Sequence, residues 1–215
     1  MKTTIYLVRH GYSIANELNI FLGHGDMDLT EKGKLQAEVA SEYLSSLNPD
    51  AIYSSDLKRA YHTSLPTAKK LGLEVVKDKR FREIDAGEWD FMPFLDWVKN
   101  YPDGFKKWTD DKYNARCVGG ETILELKDRV VTALEDLAKK HQGKTIMIFS
   151  HANPIQVLSA FATGDFKKGI KKIGDPPNVS TTTIEYEDGK FNLIEYGKAE
   201  YLGDIVTNLS TADEI

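Results

Sequence analysis

Two apolar runs in this chain each stop at a histidine, and no other feature limits the fold so strongly. Thr4-Ile5-Tyr6-Leu7-Val8 leads into Arg9-His10-Gly11, and Thr145-Ile146-Met147-Ile148-Phe149-Ser150 leads into His151. Both runs are short and rich in β-branched and aromatic residues, so they predict buried strands. In an open α/β sheet, the residues that follow the strands gather at the carboxyl edge, where such folds bind ligands. Two strands of this kind could bring two imidazoles and a guanidinium to one sheet edge.

Further strand-like runs lie near 51–55, 73–77, 180–186 and 191–196, with helical patterns between most of them. Leu35, Val39, Tyr43 and Leu47 recur every four residues beside Ala40 and Leu44, which predicts an amphipathic helix over 31–47 with Thr30 as its cap. Asp56 is placed to cap a second helix running to about Leu71, with Gly72 at its exit. Thr122 and Glu125 fit a capping box ahead of Ile123, Leu126, Val130, Leu134 and Leu137. Pro154 suits the first turn of a helix that follows His151 and runs to about Ala162. Strands alternating with helices predict an α/β three-layer sandwich: a mostly parallel central sheet with helices on both faces. Glu187-Asp188-Gly189-Lys190 joins the last two strands as a hairpin, so the C-terminal part of the sheet is expected to be antiparallel.

The length suits a single domain over 1–215, with an aromatic-rich insertion at about 88–120. That insertion holds Trp89, Trp97, Trp108, Phe91, Phe94, Tyr101, Phe105 and Tyr113, and shows no long periodicity. The residues from about Gly203 onward read as a loosely held polar tail. With 41% hydrophobic and 28% charged residues, the chain can bury a core. Cys117 is the only cysteine, so an internal disulfide is excluded and a cysteine-based metal site is not expected. No apolar run approaches the roughly 20 residues of a spanning helix. A soluble protein of the reducing cytoplasm is therefore expected, with no membrane partner. A net charge of −5 argues against general nucleic-acid binding. It leaves room for a small anionic ligand, because local cations can outweigh the global balance.

Candidate chemistry gathers around the strand ends. Arg9 adjoins His10, and Arg59 falls in the first turn of the second helix, where it would assist free N–H groups in binding an anion. Glu83 lies in Phe81-Arg82-Glu83-Ile84-Asp85-Ala86-Gly87-Glu88-Trp89, among apolar neighbours that would raise its pKa and suit it to general acid work. Asp85 and Glu88 are rivals that spacing alone does not separate from it. For each residue the plainer reading is structural: a paired surface arginine, a satisfied histidine, one more acid in a charged loop. His24, His62 and His141 are given no role.

Taken in order, these residues resemble the histidine phosphatase superfamily, also called phosphoglycerate mutase-like. The resemblance rests on Arg9-His10-Gly11 with Asn16, Asp28-Leu29-Thr30-Glu31-Lys32-Gly33 with Gln36-Ala37, and Ser54-Ser55-Asp56-Leu57-Lys58-Arg59-Ala60 with Thr63. It continues through Arg82-Glu83 with Gly87-Glu88-Trp89, then Gly119-Gly120-Glu121, then Ser150-His151. The resemblance implies that His10 is a nucleophile forming a phosphohistidine. It implies that Arg9, Arg59 and a protonated His151 hold the phosphoryl oxygens, assisted by Asn16, the backbone near Gly23, and Ala152. Glu83 would protonate the leaving oxygen and later activate water. No metal and no cofactor are implied. Tyr12, Ala152 and Phe91 depart from residues common in the family, and Phe91 stands where many members have Gly. With Trp89 and Arg116 it is a candidate lid residue.

The implied activity is hydrolysis of a phosphomonoester of a small metabolite. A cofactor-dependent phosphoglycerate mutase, an isomerase, is the alternative, and it would need extra cations for a second phosphate. The 88–120 insertion has five cations (Lys99, Lys106, Lys107, Lys112, Arg116) against six carboxylates (Glu88, Asp90, Asp96, Asp103, Asp110, Asp111), and Ile20 stands where mutases carry a basic residue. A non-catalytic phosphate-binding or scaffold protein is a second alternative. Retention of the whole cluster argues against it.

Overall fold

The computed structural model describes residues 1–207. Six strands form the central sheet: β1 (Thr3–Arg9), β3 (Ala51–Ser54), β4 (Val75–Lys77), β6 (Thr145–Ser150), β7 (Thr181–Glu187) and β8 (Lys190–Lys198). Their order is β4-β3-β6-β1-β7-β8. The first four are parallel, whereas β7 runs antiparallel to β1 and β8 antiparallel to β7. The sequence expectation of a mostly parallel sheet with an antiparallel C-terminal part therefore matches the fold.

Strand alternation divides the interior into two layers. Ile5, Leu7, Ile146 and Ile148 face a core built with α6 (Ile123–Lys140) and α7 (Ala152–Ala162). Val8, Met147, Phe149 and Ile52 face the other side, against α2 (Glu31–Ser46) and α3 (Lys58–Leu71). Shorter helices are α1 (Ile14–Glu17), α4 (Phe94–Asn100), α5 (Pro102–Asp110) and α8 (Phe166–Lys172). A small ribbon pairs β2 (Ile20–Phe21) with β5 (Met92–Pro93).

Several local expectations hold. Thr30 accepts from the Gly33 N–H, Thr122 and Glu125 make the capping box, and Gly72 ends α3 in the left-handed conformation. Two are corrected. Asp56 does not cap α3. Leu57 occupies the cap position without a side-chain bond, and Asp56 instead takes a two-pronged contact from Arg82 at 2.6 and 2.6 Å. Asp26, remote in sequence, accepts from the Lys58 N–H at 2.8 Å in its place. The Leu35 and Val39 stripe of α2 faces outward, whereas Gly33, Gln36, Ala37, Ala40, Ser41 and Leu44 are buried. Small residues win that face because the chain after β1 lies directly on it. A Cβ on Gly33 would sit 2.1 Å from the Tyr12 carbonyl oxygen, and one on Gly11 2.7 Å from that of Gly33.

The 88–120 stretch is more ordered than its sequence suggested, since α4 and α5 lie within it. Trp89 and Trp97 are fully buried, and Phe21, Phe94, Phe105 and Trp108 pack on them edge-on or tilted. This aromatic group is continuous with the α6–α7 core rather than a separate satellite. Of the expected tail, Gly203–Ile205 end a short 3-10 segment whose Leu202 is buried and whose Ile205 carbonyl accepts from Gln36. The remainder, 208–215, lies outside the described residues.

Candidate active site

Sheet register brings the expected residues together. Arg9 pairs opposite Ser150, and Ser54 opposite Phe149, so Ser55, His10 and His151 all leave the same carboxyl edge. The His10 and His151 rings stand 5.2 Å apart, centroid to centroid. Both rings are buried, as are Arg9, Arg59 and Glu83.

Hydrogen bonds fix the tautomer of each histidine. His10 Nδ1 lies 2.8 Å from the Gly11 carbonyl. A carbonyl only accepts, so Nδ1 carries the proton and Nε2 keeps its lone pair. The Gly11 N–H is held by Thr63 Oγ1 at 2.9 Å, and Asn178 Nδ2 donates to the His10 carbonyl at 2.9 Å. Burial, with the charges of Arg59 and Arg9 behind it, holds the His10 pKa well below the usual value. The ring is therefore neutral. His151 Nδ1 accepts from Arg59 Nε at 3.2 Å, which leaves the proton on Nε2, 2.8 Å from Ser55 Oγ. Burial and the cations of Arg59 and Arg9, with His10 beside them, depress its pKa as well. The expectation of a protonated His151 is thus corrected for the ligand-free site: a proton on Nδ1 would face a guanidinium.

Arg59 is held by its own surroundings. It donates to the Gly25 carbonyl at 2.8 Å, to the Gly23 carbonyl at 2.8 Å and more weakly to the Leu22 carbonyl at 3.5 Å. Burial lowers its pKa to about 10, which still leaves it charged near neutrality. Arg9 is less tied. Its Nη1 donates to the Pro176 carbonyl, while its buried Nε has no protein partner among the described residues. An anion between the two would meet a free donor from Arg9 and a fixed charge from Arg59.

Glu83 sits at the start of α7. Its Oε1 accepts from the Ile84 N–H at 2.9 Å and from the Asn153 N–H at 3.2 Å. Burial raises its pKa in spite of those bonds and of Arg59 and Arg9. A carboxyl group that holds its proton at higher pH than usual, next to a neutral imidazole, suits proton donation to a leaving oxygen. Its rivals point elsewhere. Asp85 accepts from the Gly87 N–H, and Glu88 accepts from Tyr101 on the surface.

Arg9, His10, Arg59 and Glu83 line a cavity of about 120 Å³ that also takes in Ser13, Asn16, Phe21, Leu22, Ala152, Asn153 and Asp175, with His151 behind them. Asn16 Oδ1 accepts from the Ser13 backbone N–H and from the Ser13 hydroxyl, so its amide nitrogen is the end left to donate. Gly23 does not line the cavity. Its N–H bonds to Asp90 Oδ1 at 2.9 Å, and a Cβ there would lie 2.5 Å from the Ile84 carbonyl oxygen. Its carbonyl supports Arg59.

None of the three lid candidates lines the cavity. Trp89 is buried in the aromatic core. Arg116 pairs with Glu125 on the exposed start of α6. Phe91 is half exposed and outside the cavity wall, and its φ of +62° explains why glycine suits this position. Other residues escaped the sequence reading. Asp90 accepts from the N–H groups of both Gly23 and Gly25, at 2.9 and 2.7 Å, and so clamps the loop whose carbonyls hold Arg59. His24, given no role, approaches the Glu83 carbonyl at 3.1 Å. Asp175 and Asn178 lie just ahead of β7. Because β7 runs antiparallel to β1, the loop entering it must arrive at the carboxyl edge. The Asp175-Pro176-Pro177-Asn178 turn cluster together with the hairpin was the available signal.

The sequence model of the histidine phosphatase superfamily (branch 1) matches residues 5–199. The chain belongs to that superfamily. Among its relatives, "Phosphoserine phosphatase 1" of Hydrogenobacter thermophilus is 32% identical over 200 residues, which cover 93% of this chain and 94% of that one. "Phosphoglycerate mutase-like protein 4" of Arabidopsis thaliana is 32% identical over 202 residues, covering 92% and 86%. Among solved structures, the mycobacterial glucosyl-3-phosphoglycerate phosphatase complexed with VO3 superposes with a TM-score of 0.86 at 26% identity, covering 91% of this chain and 99% of that one. A phosphatase of this superfamily, hydrolysing phosphomonoesters of small metabolites, is what the chain's sequence and geometry make it.

Proposed function

We propose that hydrolysis runs through a phosphohistidine on His10 Nε2. The observation that carries this is the Nδ1–H bond to the Gly11 carbonyl, which points the unprotonated nitrogen of a neutral ring away from the backbone. The phosphoryl group sits between Arg9 and Arg59, with the Asn16 amide assisting. Its transition state spreads charge over the equatorial oxygens, so fixed cations and correct placement supply most of the catalysis. Glu83 gives its proton to the leaving oxygen as the His10–phosphorus bond forms. It then takes a proton from the water that attacks the phosphohistidine. Arrival of the dianion raises the His151 pKa, and Ser55 is placed to accept its Nε2 proton throughout.

Hydrolysis is favoured over phosphoryl transfer between positions of one substrate. The charged residues on the cavity wall are two arginines and two carboxylates, Glu83 and Asp175, which leaves no cationic patch for a second phosphate. The reading takes residues 1–215 as one domain, with 88–120 as supporting wall, working in the cytoplasm, where the buried thiol of Cys117 stays reduced. No three His, Cys, Asp or Glu side chains cluster with metal-binding geometry, and no helix is long and apolar enough to cross a membrane, among the described residues.

The test is capture of the intermediate. Brief incubation with a labelled aryl phosphate, followed by a cold quench, should leave acid-labile, alkali-stable label on the protein. His10→Ala should abolish both labelling and turnover, on the order of a 10⁴-fold loss or more. Turnover by His10→Ala near the parent rate would sink the mechanism.

A further inference from the structure

One charged group on the cavity wall takes no step in that chemistry, although its charge acts on Arg9 and Glu83. Asp175 faces the same small cavity as Arg9 and Asn153. It forms no ion pair with a lysine, arginine or histidine among the described residues. Its one side-chain hydrogen bond there is at Oδ1, from Gln156 Nε2 at 2.8 Å.

Gln156 is buried on α7, and its amide is held from two further sides. Lys112 donates to Oε1, and Nε2 also reaches the Ile173 carbonyl at 3.2 Å. A lysine only donates, so the amide oxygen must face Lys112 and the nitrogen must face Asp175. The aspartate is therefore fixed through one oxygen and keeps Oδ2 without a protein donor among the described residues.

A carboxylate on the wall of a phosphate pocket repels the phosphate. For a substrate that is purely anionic it is a handicap. It becomes a selector when the substrate also carries a positive group. Because Asp175 lies on the same cavity wall as Arg9, the positive group has to sit close to the phosphoryl group.

We propose that Asp175 selects phosphomonoesters whose alcohol carries a primary ammonium a few bonds from the ester oxygen. Oδ2 pairs with the ammonium while Arg9 and Arg59 hold the phosphoryl group. This rests on the hydrolase reading above and adds the class of leaving group to it.

The test compares three monophosphates of one length: O-phosphoethanolamine, 2-hydroxyethyl phosphate and propyl phosphate. They end in an ammonium, a hydroxyl and a methyl group, and an aryl phosphate serves as a reference. Asp175 is itself exposed, so the parent enzyme should favour the ammonium ester over the propyl ester in kcat/KM by roughly 2- to 5-fold, the worth of a solvent-screened ion pair. In Asp175→Asn that ratio should collapse toward unity, and the propyl ester should gain because the repelling charge is gone.

A parent enzyme that prefers the hydroxyl ester, or that does not discriminate, overturns the proposal. So does a preference for the ammonium that survives in Asp175→Asn. Failure of the hydrolase reading looks different, because none of the four esters, the aryl phosphate included, would then be turned over.

Discussion

The strand ends and the 88–120 segment use burial in opposite ways. At the ends of β1 and β6, burial acts on ionisable groups: it keeps His10 and His151 neutral and Glu83 protonated to higher pH. In the segment, burial acts on rings, packing Trp89 and Trp97 into a core that meets the cavity only through Phe21. The first region supplies chemistry and the second supplies stiffness, and one acid crosses between them. Asp90 belongs to the segment by sequence, but its carboxylate holds the loop that holds Arg59. The comparison teaches that a catalytic cation can depend on a group that no substrate meets.

The largest effect tests the chemical side. Glu83→Gln keeps the hydrogen-bonding shape but has no proton to give. With an alkyl phosphate, whose leaving oxygen needs that proton, kcat should fall on the order of 10²- to 10⁴-fold. With an aryl phosphate the first step should survive and the phosphoenzyme should accumulate. The pH profile supplies the sign. His10 must be neutral, and its pKa is depressed, so kcat/KM of the parent rises through a limb below the usual histidine range. Glu83 must be protonated, and its pKa is raised, so activity falls through a limb above the usual carboxylate range. Glu83→Gln should keep the rising limb and lose the falling one. An unchanged falling limb would move the general acid to another residue.

Asp90→Asn gives a smaller effect and breaks the division of labour directly. An asparagine has one acceptor where the aspartate has two, and its NH₂ would face one of the N–H groups of Gly23 and Gly25. The loop should shift and carry Arg59 with it. Misplacement of that scale costs roughly 10- to 100-fold. The loss should appear in kcat with aryl and alkyl phosphates alike, since Arg59 serves the phosphoryl group common to both. Asp90→Glu, which keeps two acceptors, should recover part of it. Parent-like kcat in Asp90→Asn would confine the segment to packing alone.

How far each region could be read in the sequence follows the same boundary. His10, His151 and Arg9 were legible because the apolar runs fix the strands, and the strands fix which residues leave the sheet edge. Arg59 followed as a first-turn helical residue even though its helix cap was misassigned. The capping box at Thr122 and the hairpin after Glu187 were legible because both are local. Asp26 in place of Asp56 was not, since a cap supplied from 32 positions away leaves no local pattern. The inward face of α2 was misread because hydrophobic spacing favours Leu35 and Val39, whereas the contact admits only small side chains. Asp90, Gln156 and Asp175 act through partners distant in sequence, and ordinary acids and amides carry no mark of that.

The smallest expected effect is at Phe91. The residue holds a φ of +62°, which favours glycine, and its ring lies against Gly25, where an added Cβ would come within 2.6 Å of it. Phe91→Gly removes a left-handed strain of about 1–2 kcal/mol. It also gives the unfolded chain more freedom, worth roughly 0.5–1 kcal/mol, and loses the packing of a ring that is already 52% exposed. These terms oppose each other, so stability should move by less than about 1 kcal/mol, a few degrees in Tm. Because the ring lies outside the cavity wall, kcat/KM for the short alkyl esters should stay close to the parent value. A change in their ranking would put Phe91 in the path of the leaving group and make the segment a lid. Parent-like ranking with altered Tm would leave it as a support for Gly25, and through that loop for Arg59.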